Sequence, residues 1–130
     1  MDREAYQKEY VKRSKELDET IEERKQQQRT LKQLGEIDQT AAQLQKKTLQ
    51  FMEELDADFR GTQMGTFVRD QVDLIQTDFR QAQQNRLETT EALHQNLKQL
   101  KQQEEDQEQS RKNLRAEKEG NNHGTETDCQ

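Results

Sequence analysis

The sequence FRGTQMGTF, residues 59–67, interrupts two long segments that contain no proline. It holds two glycines, Gly61 and Gly65, and an aromatic residue stands at each end, Phe59 and Phe67. Glycine adopts the backbone conformations that end a helix, and a short connection between two helices makes them antiparallel neighbours. The segment therefore predicts the turn of a helical hairpin, with Phe59, Gly61 and Gly65 as its turn motif.

The composition favours long amphipathic helices over a globule with one large core. Of the 130 residues, 27% are hydrophobic and 37% are charged, and the mean hydropathy is -1.49. These values are too polar for an ordinary globular domain, whereas a long helix needs only a narrow apolar stripe. Glutamine, glutamate, lysine, leucine and arginine are abundant, and all of them are good helix formers.

Apolar residues recur in steps of three and four on both sides of the turn, which is the spacing of one helix face. The first stripe, which includes Ile37 and Leu44, predicts a helix over about residues 3–60, and the second predicts a helix over about residues 67–118. The turn then covers residues 61–66. Two successive steps of four at Arg86 and Thr90 form a stutter, which unwinds a supercoil locally without ending the helix.

The end of the second helix is predicted at Gly120, where a polar stretch begins. Glycine is the usual residue just beyond a helix C-terminus. The sequence thus predicts a helical hairpin over residues 1–119 and a disordered polar tail over residues 120–130. Gly35 lies inside the first helix and indicates a bend or a close approach of the other helix.

Pairing the two stripes about a pivot near Gln63 places Phe59 opposite Phe67 and concentrates apolar residues near the turn, so that pairing at the open end is marginal. The stripe also widens to adjacent apolar positions, such as Phe51 with Met52 and Leu74 with Ile75, which one partner helix cannot bury. Eight residues are predicted to divide between the internal seam and a partner surface: Met52, Leu55, Phe59, Phe67, Val68, Val72, Ile75 and Phe79.

The predicted fold class is all-α, a long antiparallel two-helix hairpin of coiled-coil character. Two helices leave one side of their seam exposed, so dimerisation or a helical partner is expected to complete the fold. The formal net charge of -6 argues against a surface that binds nucleic acid. No run of about 18 apolar residues could span a bilayer, and the N-terminus lacks the apolar region of a signal peptide. We expect a cytoplasmic protein without membrane insertion.

The sequence predicts neither an enzyme nor a cofactor site. His94 and His123 are the two histidines, and neither has acidic or sulfur neighbours at the spacing of metal ligands. A pair of helices offers no dry pocket for a catalytic pair of carboxylates. Cys129 is the single cysteine, so the chain can form no internal disulfide. No catalytic, metal-binding or cofactor-binding residue is therefore assigned.

Phe59-Arg60-Gly61, at the turn of a small acidic hairpin, resembles the motif of the WXG-type proteins of type VII secretion in Gram-positive bacteria. In that family an aromatic residue, usually tryptophan, precedes a glycine by two positions in the turn, and here Phe59 takes the place of tryptophan. The tail after Gly120 contains no aromatic residue, so it lacks the family's export signal. In architecture and composition the chain is more similar to the small helical proteins encoded beside LXG-domain toxins.

This resemblance implies a targeting chaperone or adaptor that binds the helical LXG domain of a cognate toxin. Its partners would be that toxin, a second small helical protein or a second copy of the chain, and it could be secreted together with its partner. Two other hypotheses stay open. One is a coiled-coil export chaperone of the flagellar or type III stalk kind, and the other is a self-assembling structural coiled coil.

Overall fold

In the computed structural model the chain forms two long helices that pack against each other, which confirms the predicted all-α hairpin. The structure describes the backbone of residues 2–128 and the side chains of residues 2–120. Helix α1 spans Arg3–Phe59, 57 residues, and helix α2 spans Gln63–Asp128, 66 residues. Asp2 caps α1, because its carboxylate accepts a hydrogen bond from the Ala5 backbone N–H at 2.7 Å.

The turn is shorter than predicted, since only residues 60–62 lie between the helices. Gly61 has a φ of 81°, a conformation that a side chain would strain. The backbone N–H and the hydroxyl of Thr62 both donate to the Phe59 carbonyl oxygen, at 3.1 Å and 2.6 Å. These bonds satisfy a carbonyl group that the end of α1 leaves without a helical partner.

The register of the hairpin agrees to within about one residue with the predicted pivot near Gln63. The Gln45 amide donates to the Phe79 carbonyl at 3.4 Å, and these two residues lie equally far in sequence from Thr62. Asp56 and Arg69, whose side chains are 3.4 Å apart, are symmetric about a point between Thr62 and Gln63, so the pivot lies at these two residues. Because the chain reverses within three residues, Phe59 comes close to Gly65 instead of Phe67, and a Cβ atom on Gly65 would lie 2.6 Å from the Phe59 carbonyl oxygen.

Helix α2 begins before the predicted position and continues beyond the predicted stop at Gly120. Among the glycines of residues 2–120, only Gly61 has a positive φ, so Gly120 does not adopt the left-handed conformation that caps a helix. The predicted disordered tail falls mainly on residues whose side chains are not described. Cys129 and the His123 side chain lie outside the described residues.

The hairpin divides into two units, each containing a part of both helices. The terminal unit comprises Met1–Gln28 and Gln95–Gln130, and the turn unit comprises Arg29–His94.

The terminal unit contains the most deeply buried side chains, so the expectation of marginal pairing there is wrong. Leu17 is 3% exposed and Leu114 is 2% exposed. Arginine side chains help to shield these buried residues from water. Arg13 donates to the Ser110 carbonyl at 2.9 Å, and other cross-helix hydrogen bonds join Arg24 to Glu104 and Arg111 to Ser14. The aliphatic stems of such side chains exclude water while their charged ends stay solvated. A count of apolar residues overlooks this contribution.

Aromatic and cationic side chains close the same unit near its chain ends. Tyr6 and Tyr10 stack with ring centroids 6.0 Å apart. Arg115 donates to the Tyr10 hydroxyl at 2.6 Å, and the Lys118 ammonium lies 4.1 Å from the centroid of the Tyr6 ring. Cation–π contacts at exposed sites contribute roughly 0.5–1 kcal/mol each, so they add to the cohesion of this unit.

The turn unit has a less complete core. Val68 and Val72 are buried, at 8% and 9% exposure. The other seam residues near the turn are only half-buried, namely Met52, Leu55, Phe59, Ile75 and Phe79. Each of the two helices covers the seam from one side only. The two flanks, between the helices, therefore remain open to water.

Candidate protein-binding site

Apart from Leu87, six large apolar side chains of the turn unit are more than half exposed. Their exposed fractions lie between 52% and 60%, and the residues are Ile37, Leu44, Phe51, Met64, Phe67 and Leu74. Single exposed apolar residues are ordinary on protein surfaces, whereas a contiguous group of them marks an interaction site. Their arrangement on the helices decides which of these applies.

On α1 the exposed residues form a row beside the seam. The seam repeats every seven residues, as in a coiled coil, and it contains Asp38 and Gln45, both half-buried. Ile37, Leu44 and Phe51 each immediately precede a seam residue and are spaced seven residues apart. The prediction that Ile37 and Leu44 belong to the seam is therefore wrong. A repeat of 3.5 residues per turn keeps Asp38 and Gln45 facing α2, although they are polar.

On α2 a second row also precedes seam residues, although at the other position of the seven-residue repeat. Phe67 and Leu74 are seven residues apart, and each immediately precedes a seam residue, Val68 and Ile75. Met64 lies three residues before Phe67, on the same helix face. This row extends the exposed apolar surface along α2 toward the turn.

Both rows lie on the same flank of the turn unit. Asp56 and Arg69 each immediately follow a seam residue, and their side chains approach within 3.4 Å. Residues that follow a seam residue lie on the opposite side of the seam from residues that precede one. Because the following residues share one flank, the six preceding residues share the other, which we call the apolar flank.

The two rows also overlap along the hairpin. Phe51 and Leu74 lie at nearly equal distances in sequence from Thr62, so they are at the same level of the turn unit. Beside Ile37 and Leu44 the surface of α1 contains a shallow depression of about 530 Å³. Its lining comprises Gln33, Glu36, Ile37, Thr40, Ala41 and Leu44. The apolar flank thus offers ridges and a depression, the relief into which the side chains of another helix pack.

Near the turn the opposite flank carries a cluster of charged side chains. Asp56 accepts hydrogen bonds from Arg60 and Arg69, both at 3.4 Å. Farther from the turn, at the stutter, a cavity of about 320 Å³ is lined by the paired Asp38 and Arg86 and also by apolar side chains such as Leu87. Partly exposed ion pairs of this kind contribute little free energy.

The structure separates the eight residues predicted for the seam and partner surface. Seven of them lie in the seam, buried or half-buried, and only Phe67 lies on the apolar flank. Five residues of the apolar flank were not among the eight predicted: Ile37, Leu44, Phe51, Met64 and Leu74. The sequence did carry a signal for Phe51 and Leu74, because each stands next to a seam residue and widens the stripe.

Within residues 2–120, no group of three or more His, Cys, Asp or Glu side chains is placed to hold a metal ion, and His94 is exposed. Neither helix, over its described length, holds a segment long and apolar enough to cross a bilayer. No protein-family model matches this chain, and no curated protein or solved structure is significantly similar to it. The apolar flank is therefore the candidate functional site of the described residues.

Proposed function

We propose that this chain is a non-enzymatic helical adaptor whose apolar flank receives a helix of a partner protein. The observation that carries the proposal is the row of Ile37, Leu44 and Phe51 at seven-residue spacing, each more than half exposed. Seven-residue spacing is the repeat that a partner helix matches in a coiled coil. Phe67 and Leu74 provide a second wall, so that a helix lying along the flank would contact both α1 and α2.

The free energies of burial and association favour a partner that contributes apolar residues of its own. Completing the burial of one such side chain contributes roughly 1 kcal/mol, about half the value for burying a fully exposed one. Association costs roughly 4–15 kcal/mol in lost freedom of motion. Burial of the six residues of the apolar flank therefore offsets only the lower part of that cost. An amphipathic helix that buries a stripe of its own against the flank supplies the remainder.

The proposed partner is the helical LXG domain of a type VII secretion toxin, for which this chain would act as a targeting chaperone. Two features support this proposal: the Phe59-Arg60-Gly61 turn resembles the WXG-type motif, and the chain forms a helical hairpin. An adaptor of this kind needs a stable scaffold and an open helical surface. The terminal unit supplies the scaffold, and the turn unit supplies the surface. A second small helical protein could occupy the same flank in place of the toxin.

Co-expression with the LXG domain of a type VII secretion toxin tests the proposal. The chain is expected to co-purify with the domain, and the double substitution Phe51→Gln and Phe67→Gln is expected to weaken the complex at least tenfold, since about 1.4 kcal/mol corresponds to a factor of ten. The matched control is Val11→Gln with Leu87→Gln. Those two apolar residues are exposed by 64% and 51% but lie off the apolar flank.

Several outcomes would count against the proposal. Failure of the wild-type chain to co-purify, together with unchanged toxin export after deletion, would refute the toxin as partner. Equal loss of binding in the control would show that the flank is not the binding surface. Circular dichroism should give the same melting temperature for all variants, because each substituted side chain is already more than half exposed. Sedimentation that shows large self-assembled species would favour the structural coiled-coil hypothesis instead.

A further inference from the structure

We infer that the partner segment is a basic amphipathic helix, in which lysine or arginine residues border an apolar stripe. The inference rests on the proposed function and adds the chemistry of the partner. It comes from the charged residues that surround the apolar flank, which are predominantly acidic. An apolar helix face with a basic border is complementary to such a surface in both hydrophobicity and charge.

Four carboxylates form this acidic rim: Glu54, Asp58, Asp70 and Asp78. Glu54 lies three residues beyond Phe51, and Asp58 lies seven residues beyond it, so both are on its face of α1. Residues three or four apart on a helix have Cβ atoms roughly 5–6 Å apart. By the same spacing, Asp70 lies between Phe67 and Leu74, and Asp78 follows Leu74 by four residues.

All four rim carboxylates are exposed, and none of them forms an ion pair with another residue of the described part of the chain. Among the described residues, two cations lie three or four residues from a member of the apolar flank, Lys47 and Arg60. Lys47, four residues before Phe51, is the one that forms no ion pair on the opposite flank. Arg60 is close in sequence to Met64, but its guanidinium lies 3.4 Å from Asp56 on the other side of the seam. The rim therefore presents a net negative charge to whatever covers the apolar flank.

A second copy of the chain fits this surface poorly. In a symmetric dimer each copy presents the same patch to the other, so two acidic rims would meet. Like charges brought together at an interface disfavour the complex. The formal net charge of -6 adds a general repulsion between copies. The negative electrostatic field of the chain instead accelerates the association of a basic partner.

Two designed peptides provide the direct test on the full chain. Both are amphipathic helices three heptads long with leucine at the apolar positions, and they differ only in bordering residues, which are lysine in one and glutamate in the other. Fluorescence anisotropy should show the lysine peptide binding at least tenfold more tightly at low salt. Raising the ionic strength from about 0.05 M to about 0.5 M should reduce that advantage severalfold, because salt screens exposed charges.

A charge-neutralised variant assigns the effect to the rim. It combines Glu54→Gln, Asp58→Asn, Asp70→Asn and Asp78→Asn, and it should bind the lysine peptide about tenfold more weakly. The control neutralises four exposed carboxylates of the terminal unit, which gives the same net charge: Glu19→Gln, Glu23→Gln, Glu105→Gln and Glu117→Gln. It should bind as the wild-type chain does.

The outcomes separate this inference from the proposed function. If both peptides bind equally and Phe51→Gln weakens both, the apolar flank is a docking site but the inference about charge is wrong. If neither peptide binds, or Phe51→Gln has no effect, the proposed function fails first. A salt-promoted dimer that the Phe51→Gln variant abolishes would overturn the inference in favour of a second copy.

Discussion

Gly65 is the residue at which the geometry of the turn is most constrained. A Cβ atom there would lie 2.6 Å from the Phe59 carbonyl oxygen, which belongs to the backbone and cannot rotate away. We therefore predict that Gly65→Ala lowers the free energy of unfolding by about 1–3 kcal/mol, the cost of forcing extra atoms into a packed site. Urea denaturation followed by circular dichroism would measure it.

Gly35 is the matched control for that substitution. It lies inside α1, is exposed, and has no atom within 4 Å of the position a Cβ would occupy, so the predicted close approach of the other helix is not found. Gly35→Ala should raise the free energy of unfolding by about 1 kcal/mol, since alanine is the better helix former. Equal effects of the two substitutions would contradict the close contact at Gly65.

Gln107 is a second residue whose environment predicts a measurable effect. Its side-chain carbonyl oxygen is buried without a hydrogen-bond partner among the described residues, as is that of Gln27. A buried polar atom without a partner costs about 1–3 kcal/mol. Gln107→Leu should therefore stabilise the chain by about 1 kcal/mol in urea denaturation. Gln109→Leu is the control, because that exposed amide already donates to Asn113 at 2.9 Å, and it should not stabilise.

At the scale of the helices, Asp38 and Arg86 form a charged pair within an otherwise largely uncharged part of the seam. A seam that repeats every seven residues can slip by one repeat, and a charged pair specifies one register. Asp38→Arg should destabilise the turn unit by about 1 kcal/mol, since it places two cations together in a partly exposed seam. The exchange Asp38→Arg with Arg86→Asp should restore most of the loss. A double variant no more stable than Asp38→Arg alone would show that the pair does not set the register.

The same helices show how far the sequence predicts the structure. Steps of three and four and the two glycines predict two antiparallel helices, because burial of one helix face depends on spacing alone. They do not decide between Ile37 and Asp38 for the seam, since both fit a helical stripe and only the supercoil of the paired helices selects one. For this reason the apolar flank was predicted only in part, through the widened stripe at Phe51 and Leu74. The cover supplied by Arg13 and similar side chains depends on contacts that apolar spacing does not encode.

At the scale of the whole molecule, the proposed function divides stability and recognition between the two units. The terminal unit buries Leu17 and Leu114 almost completely, whereas most seam residues of the turn unit remain half-exposed. Regions with few buried apolar contacts open more readily than well-packed ones. A binding surface placed on the less stable unit lets a partner helix complete its burial, and the partner's binding energy then also stabilises that unit.

This division predicts a pattern of hydrogen–deuterium exchange measured by mass spectrometry. Without a partner, amides of the terminal unit near Leu17 and Leu114 should exchange more slowly than those near Phe51 and Phe67. Addition of the LXG domain should slow exchange around the apolar flank while leaving the terminal unit nearly unchanged. The Phe51→Gln and Phe67→Gln double variant should lose that protection without altering the exchange of the free chain elsewhere. Protection confined to the terminal unit would place the partner there and would remove the apolar flank as its binding site.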